Sequence, residues 1–199
     1  VWRPELLPIW AITLSFSFAL TAYFTFLRTY VDETGFGSVG LFFAFYSGVA
    51  IALRVAFAWL PERVGPHRVL YPAFALLITG FFVLARAGST TDIAVAGLLC
   101  GAGHAYSFPI LMGFTVDRAS DAGRGSAVAF FTALFDGGTL LGGPALGFVI
   151  EQSGYSTMYF ATGVFLAAAA AGYAFWERKL AAAGNPPSDQ LVSNSAANS

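Results

Sequence analysis

Long apolar stretches alternate with short polar connections along almost the whole chain. Six of these stretches approach or exceed the roughly 20 residues that a helix needs to cross the hydrocarbon core of a bilayer. They cover residues 6–27, 39–60, 69–85, 93–116, 126–150 and 157–176. The connections contain Gly, Pro, Asp, Ser and Arg, which interrupt helices and favour water. Strands of a membrane barrel are about half as long and alternate in polarity, so the pattern predicts helices.

The composition agrees with a lipid environment. Hydrophobic residues make up 57% of the chain and charged residues 11%, whereas soluble domains carry roughly a quarter charged residues. We therefore predict an all-α membrane protein in contact with a lipid bilayer. The net charge of −1 gives no basic surface for nucleic acid, and no nucleic-acid partner is expected. Cys100 is the single cysteine, so we expect a small buried or lipid-facing residue and no disulfide within the chain.

Lys and Arg are distributed unevenly between the two sets of connections. One set carries Arg3, Arg63, Arg68, Arg118, Arg124, Arg178 and Lys179, and the other carries Arg28 and Arg86. The positive-inside rule makes the first side cytoplasmic, so we expect a multi-pass protein of the cell membrane with both ends of this chain in the cytoplasm. Residues 177–199 are mostly polar or small and include too few large apolar side chains to form a core. This composition predicts a disordered cytoplasmic tail.

A short charged connection, "AWLPERVGPHRVL", separates the second and third stretches. Its simplest interpretation is a topology anchor. Read from Arg54, however, "RVAFAWLPERVGPHRVL" resembles the signature loop of the major facilitator superfamily, whose pattern is approximately Gly-x-Leu-Ala-Asp-Arg-x-Gly-Arg-Arg. Leu60, Arg63 and Gly65 match that pattern, and Glu62 stands in place of the Asp. The sequence departs from it at Ala58, Pro66 and His67, while Arg68 keeps a charge.

A second set of motifs lies downstream. The pairs are Phe108-Pro109, Arg124-Gly125, Asp136-Gly137 and Gly143-Pro144. They resemble the tenth and eleventh helices of the branch called arabinose-efflux-like permeases. Together the two resemblances cover about residues 6–176, which is nearly all of the chain except the tail.

The resemblance implies the C-terminal six-helix half of a twelve-helix transporter, built from two inverted three-helix repeats. The expected function is secondary active transport of a small solute, with proton-coupled efflux by alternating access. The missing partner would be the N-terminal six-helix half or, if the chain is a native half-size protein, a second copy. The alternative is a non-transporting scaffold or receptor on the same fold.

An enzyme is not expected. A rhomboid-type protease needs a Gly-x-Ser-Gly serine and a later histidine, and the sequence contains neither that motif nor a histidine in its last two spans. A nucleotide-binding loop of the Gly-x-x-x-x-Gly-Lys type is also absent from the sequence. No cofactor and no metal site are expected.

The charged connection supplies a candidate conformational switch. It consists of Arg54, Glu62, Arg63, Gly65 and Arg68. A carboxylate at a helix N-terminus and an adjacent Arg are able to make contacts in one transporter state that break in the other. We expect Glu62 and Arg63 to stabilise the outward-facing state. For Arg54, whose side chain is long enough to reach the interface, support of this connection is favoured over substrate binding.

Two titratable residues near mid-membrane are candidates for proton coupling. Asp136 lies in the fifth span, where a charge is costly, and His104 lies in the fourth. An unperturbed histidine gains or loses its proton near neutral pH. A structural role, in which each side chain is hydrogen-bonded inside the bundle, is the competing interpretation of both. Their similar depth permits a direct contact.

Two further groups complete the candidate residues. The resemblance places the first helix along the central cavity, and the candidates for cavity lining are Thr21, Tyr23, Thr25, Tyr106 and Phe108. Small residues and prolines favour close helix packing or a hinge, and the candidates are Pro109, Gly137, Gly138, Gly142, Gly143, Pro144 and Gly147.

Overall fold

The computed structural model describes residues 4–182, which fold as α-helices without a strand in that range. The helices are α1 (Leu7–Thr34), α2 (Val39–Ala56), α3 (Leu60–Val64), α4 (Pro66–Ala85), α5 (Thr90–Arg118) and α6 (Arg124–Ala182). A single 3-10 turn, Asp121–Gly123, precedes α6. All except the short α3 are long and apolar enough to cross a membrane. The predicted all-helical membrane fold is confirmed.

Helix α6 contains two membrane-spanning limbs. Its backbone leaves helical geometry at Gly154, where φ is 77° and ψ is 173°, a conformation that a residue with a side chain rarely adopts. The limbs, α6N (residues 124–153) and α6C (residues 155–182), extend about 45 and about 42 Å at about 1.5 Å per residue. Phe130 of α6N contacts Trp10 near the start of α1, and Tyr155, just after Gly154, contacts Tyr30 near the end of α1. Farther along α6C, Phe165 contacts Phe18, back toward the start of α1. The chain therefore reverses direction at Gly154 and makes six spans.

The helix bounds differ from the predicted spans mainly at their ends. Helix α1 continues to Thr34 because Tyr30 and Val31 are packed in the core. Helix α2 stops at Ala56, earlier than the predicted residue 60, and Pro61 lies in the first turn of α3, a position that favours proline. At the other end, α6C continues through part of the predicted tail to Ala182. Residues 183–199 of that tail lie outside the described residues.

The six spans pack with the symmetry expected of two inverted repeats, α1–α2–α4 and α5–α6N–α6C. Contacts join α1 to α6N and, correspondingly, α2 to α5; both pairs run parallel. Contacts also join α1 to α6C and, correspondingly, α4 to α5; both pairs run antiparallel. The remaining pair, α4 with α6C, relates the third helix of each repeat. Exchanging the repeats thus reproduces the contact pattern.

Glycines bring the paired helices into backbone contact. A Cβ on Gly97 or Gly101 of α5 would collide with the backbone of α2 at Phe42 or Tyr46. A Cβ on Gly138 of α6N would likewise collide with the backbone of α1. Lipid tails are as apolar as side chains, so such close approach, rather than exclusion of water, provides much of the association between membrane helices.

Candidate functional site

A polar pair lies at mid-depth between α2 and α5. The hydroxyl of Tyr46 lies 2.6 Å from Nδ1 of His104. The ring of Phe16 in α1 contacts the imidazole, with the ring centres 5.5 Å apart. The buried ring of Tyr23 contacts that of Tyr46 at 5.8 Å. Aromatic rings from α1 and the hydroxyl from α2 therefore fix the orientation of the histidine.

Arg54 reaches the same level from α2. Its Nε donates to the carbonyl oxygen of Ala105 at 3.1 Å, and Ala105 is the sixteenth of the 29 residues of α5. The side chain therefore turns toward the middle of the bundle, away from the charged connection that it was expected to support. Arg54 remains largely exposed on the surface of the six-helix unit.

Asp136 lies at the thirteenth of the 30 residues of α6N and is exposed. Its neighbour Phe135 contacts the ring of Phe108 at 5.4 Å, and Phe108 lies 6.3 Å from the ring of His104. Asp136 is thus level with His104, as the sequence indicated. Among residues 4–182 the hydrogen bond of the His104 side chain goes to Tyr46, and no hydrogen bond or ion pair joins it to Asp136.

The residues expected to line a cavity divide into two groups. Thr25 is exposed and Phe108 is half-buried, so both are available on the surface of the unit. Thr21, Tyr23 and Tyr106 are buried inside it. The Thr21 hydroxyl donates to the Ser17 carbonyl, and the Tyr106 hydroxyl lies within donating distance of two backbone carbonyls at the end of α2. The hydroxyls of Thr21 and Tyr106 therefore serve packing within the unit.

The charged connection is exposed at one end of the bundle. Glu62 occupies the first turn of α3, and the guanidinium of Arg63 lies 5.0 Å from the ring centre of Trp59. Gly65 joins α3 to α4 with φ of 100°, which favours glycine at this position. Arg68 in the first turn of α4 also faces outward. Within the described residues neither Glu62 nor Arg63 forms an ion pair, so both are available to other parts of the protein.

The predicted hinge residues lie on continuous helix. Pro109 and Pro144 are exposed and lie inside α5 and α6N. The break in α6 is at Gly154 instead. Gly138 and Gly142 pack against α1. The remaining predicted glycines are looser: a Cβ would meet ordinary contacts or none at Gly137, Gly143 and Gly147.

An ion pair that the sequence did not indicate joins three helix ends near the charged connection. Arg118 at the end of α5 donates to both carboxylate oxygens of Glu177 in α6C, at 2.8 and 2.7 Å. The same guanidinium donates to the carbonyl oxygen of Glu5, just before α1, at 2.9 Å. His67, at the start of α4, lies 3.8 Å from the Glu177 carboxylate. From the sequence alone, Glu177 belongs to the predicted disordered tail. Its partner Arg118 lies 59 residues earlier in the chain, and nothing in the sequence around Glu177 indicates this pairing.

The sequence of the chain matches the model of the Major Facilitator Superfamily over residues 9–197. The chain belongs to this superfamily. The predicted membership of the superfamily is thereby confirmed, as is the assignment of the apolar helices to a multi-pass membrane protein.

Several curated proteins are similar in sequence. A staphylopine export protein of Staphylococcus aureus is 27% identical over 81% of this chain and 42% of its own length. An uncharacterised transporter of the superfamily from Salmonella typhimurium is 32% identical over 80% of this chain and 40% of its own. Another, from Pseudomonas aeruginosa, is 26% identical over 68% and 34%. The chain therefore spans about two fifths or less of the length of these relatives.

Proposed function

We propose that the chain is half of a secondary active transporter that exports a small solute across the cell membrane in exchange for protons. The superfamily assignment and an exporter among the relatives support transport. The observation that carries proton exchange is Asp136, an exposed carboxylate halfway along an apolar span. A charge at that depth is costly toward lipid, so the carboxylate faces a cavity or a partner and takes up a proton there. His104, held by Tyr46, is the second proton-binding group.

Proton release by the complete protein tests the proposal. Inverted membrane vesicles are given an acidic interior and a pH-sensitive dye, and the small-molecule extract of the host cells is added outside. We expect extract-dependent proton release in the wild type. In Asp136→Asn its rate should fall about a hundredfold or more, because a positioned acid or base contributes roughly that factor to the rate of a proton-transfer step. His104→Gln should reduce it to a smaller extent.

Asp117→Asn is the matched control because Asp117 is an exposed carboxylate near the end of α5. It should release protons as the wild type does. Full proton release by both Asp136→Asn and His104→Gln would contradict the coupling role. A wild type that releases no protons with any fraction of the extract would favour the non-transporting scaffold or receptor.

The exposed pair Glu62–Arg63 is proposed as a conformational lock of this transporter. Both side chains are exposed on their own six-helix unit and form no ion pair within residues 4–182, so their partners would come from a second unit in one state. We expect the double variant Glu62→Ala, Arg63→Ala to populate the outward-facing state less. Distances between spin labels on the two units measure this distribution, and an unchanged distribution would reject the lock.

The partner is proposed to be a second six-helix unit, either the N-terminal half or another copy of this chain. Only 11% of helix α2 is buried, and large apolar side chains are exposed on it at Ile51 and Val55 and on α6N at Leu140. The mass of the tagged native product separates the two: a product near 21 kDa indicates a second copy, and one about twice as large indicates a missing half.

A further inference from the structure

Two opposite charges lie on the exposed surface of the unit at one depth. Arg54 is anchored through Nε to the carbonyl of Ala105, in the middle of α5. Asp136 is near the middle of α6N. The rings of Phe108 and Phe135 connect the two positions, since Phe108 is three residues from Ala105 and Phe135 precedes Asp136. The charges therefore belong to one layer of the bundle.

Neither charge has a partner of opposite sign among residues 4–182. The hydrogen bond of Arg54 goes to a neutral carbonyl, which leaves its terminal nitrogens as donors. Asp136 forms no ion pair in the same range, whereas four ion pairs are found elsewhere in it. A charge at mid-membrane depth is unfavourable toward lipid. Both exposed side chains therefore face a cavity or a second unit in this layer, where a solute of opposite charge is able to pair with them.

We infer that Arg54 and Asp136 form the binding site for a solute that carries both an oxyanion and a protonated amine. The planar guanidinium binds the carboxylate or similar oxyanion through its free edge. Asp136 binds the amine, and Phe108, half-buried in the same layer, contacts the apolar part of the solute. A solute with one charge would leave the other residue unpaired, and this disfavours it. This inference rests on the proposed transport function and names the class of solute.

The test uses the complete protein and the solute that it releases. Media of cells with and without the transporter are compared by mass spectrometry, and the transporter-dependent solute is collected. Counterflow into reconstituted vesicles is then measured without a pH gradient, so that the readout does not depend on proton coupling. The probes are the solute itself, its methyl ester, which lacks the anion, and its N-acetyl derivative, which lacks the cation.

Blocking either charge should slow counterflow by the wild type at least about tenfold. Arg54→Gln should move the solute and its methyl ester at similar low rates, because the group that recognises the anion is gone. Asp136→Asn should likewise stop distinguishing the solute from its N-acetyl derivative. Arg54→Lys, which keeps the charge, should retain part of the preference for the acid. The control Arg28→Gln removes an exposed cation near the far end of α1 and should behave as the wild type.

The outcomes separate the inference from the function on which it rests. A solute with charge of one sign or none, or a wild type that moves the methyl ester as fast as the acid, overturns the zwitterion site while transport stands. That result would mean that Arg54 and Asp136 pair with charges of the second six-helix unit. Persistence of the acid preference in a well-folded Arg54→Gln also overturns it. If no solute depends on the transporter, the proposed transport function fails, and the inference fails with it.

Discussion

Glu177 joins helix ends at one end of the bundle. Its carboxylate is nearly buried and receives two hydrogen bonds from Arg118. Removing one partner of a buried pair leaves the other charge uncompensated, which destabilises the fold by about 3 kcal/mol. We predict that Glu177→Ala lowers the free energy of unfolding by about this amount, measured by detergent-induced unfolding in mixed micelles.

The matched control for this prediction is Glu151→Ala. Glu151 is an exposed carboxylate on the same long helix, near Gly154, and its removal should change the free energy of unfolding by less than about 0.5 kcal/mol. Equal effects of the two substitutions would show that the ion pair at Glu177 contributes no more than a surface charge.

Single residues also show where sequence reasoning succeeds and stops. The charges of Arg54 and Asp136 were visible because they interrupt apolar runs. Their partners were not, since the contact of Arg54 lies on a helix 51 residues away. Tyr46 was missed as the partner of His104 because an aromatic residue in an apolar span carries no signal that its hydroxyl is used. Pairing depends on which faces meet, and apolar helices with low amphipathicity do not specify their faces.

At the scale of helices, glycines determine which spans approach closely. Gly101 of α5 lies against the backbone of Tyr46 in α2, closer than any Cβ permits. We predict that Gly101→Ala forces α2 away from α5 and lowers the free energy of unfolding by about 1–3 kcal/mol, as overpacking does elsewhere. Detergent-induced unfolding in mixed micelles provides the measurement. Displacement of Tyr46 should also weaken its hydrogen bond to His104.

Gly113→Ala controls for the change in helix propensity. Gly113 lies on the same helix, and a Cβ there would meet nothing within 4 Å among the described residues. Alanine favours a helix over glycine by up to about 1 kcal/mol, so this variant should be neutral or slightly stabilised. A Gly101→Ala variant as stable as Gly113→Ala would show that the two helices separate at no cost.

The elements themselves followed from the sequence because length and hydropathy alone determine what spans a bilayer. The errors came where the helix ends depend on neighbours. Helix α1 extends to Thr34 because Tyr30 donates a hydrogen bond to the carbonyl of Leu84 in α4. The predicted connection around Gly154 is a single non-helical residue between two helical limbs, since both limbs pack along α1, in opposite directions. Such ends are set by tertiary contacts, which a hydropathy pattern does not contain.

The whole molecule presents two chemically different ends to the two sides of the membrane. One end carries Arg63, Arg68, Arg118, Arg124, Arg178 and Lys179, and the other carries Arg28 and Arg86. The helix directions bring the basic set to the same end, because α3, the end of α5 and the end of α6C lie together around the Arg118–Glu177 pair. The uneven distribution of Lys and Arg between the two sets of connections is therefore also a difference between the two ends of the folded unit.

The positive-inside rule predicts that this basic end is cytoplasmic, and cysteine labelling of intact cells tests the orientation. Cys100 is buried between α4 and α5, so Cys100→Ala provides a background without a reactive thiol. On that background, Gly88→Cys should react with a membrane-impermeant maleimide in intact cells, because Gly88 is exposed at the end poor in basic residues. Ser120→Cys, exposed beside the basic end, should react only after permeabilisation. The reverse pattern would place Glu62, Arg63 and the Arg118–Glu177 pair on the outer side. The preference of Lys and Arg for cytoplasmic loops would then not explain the distribution of charge.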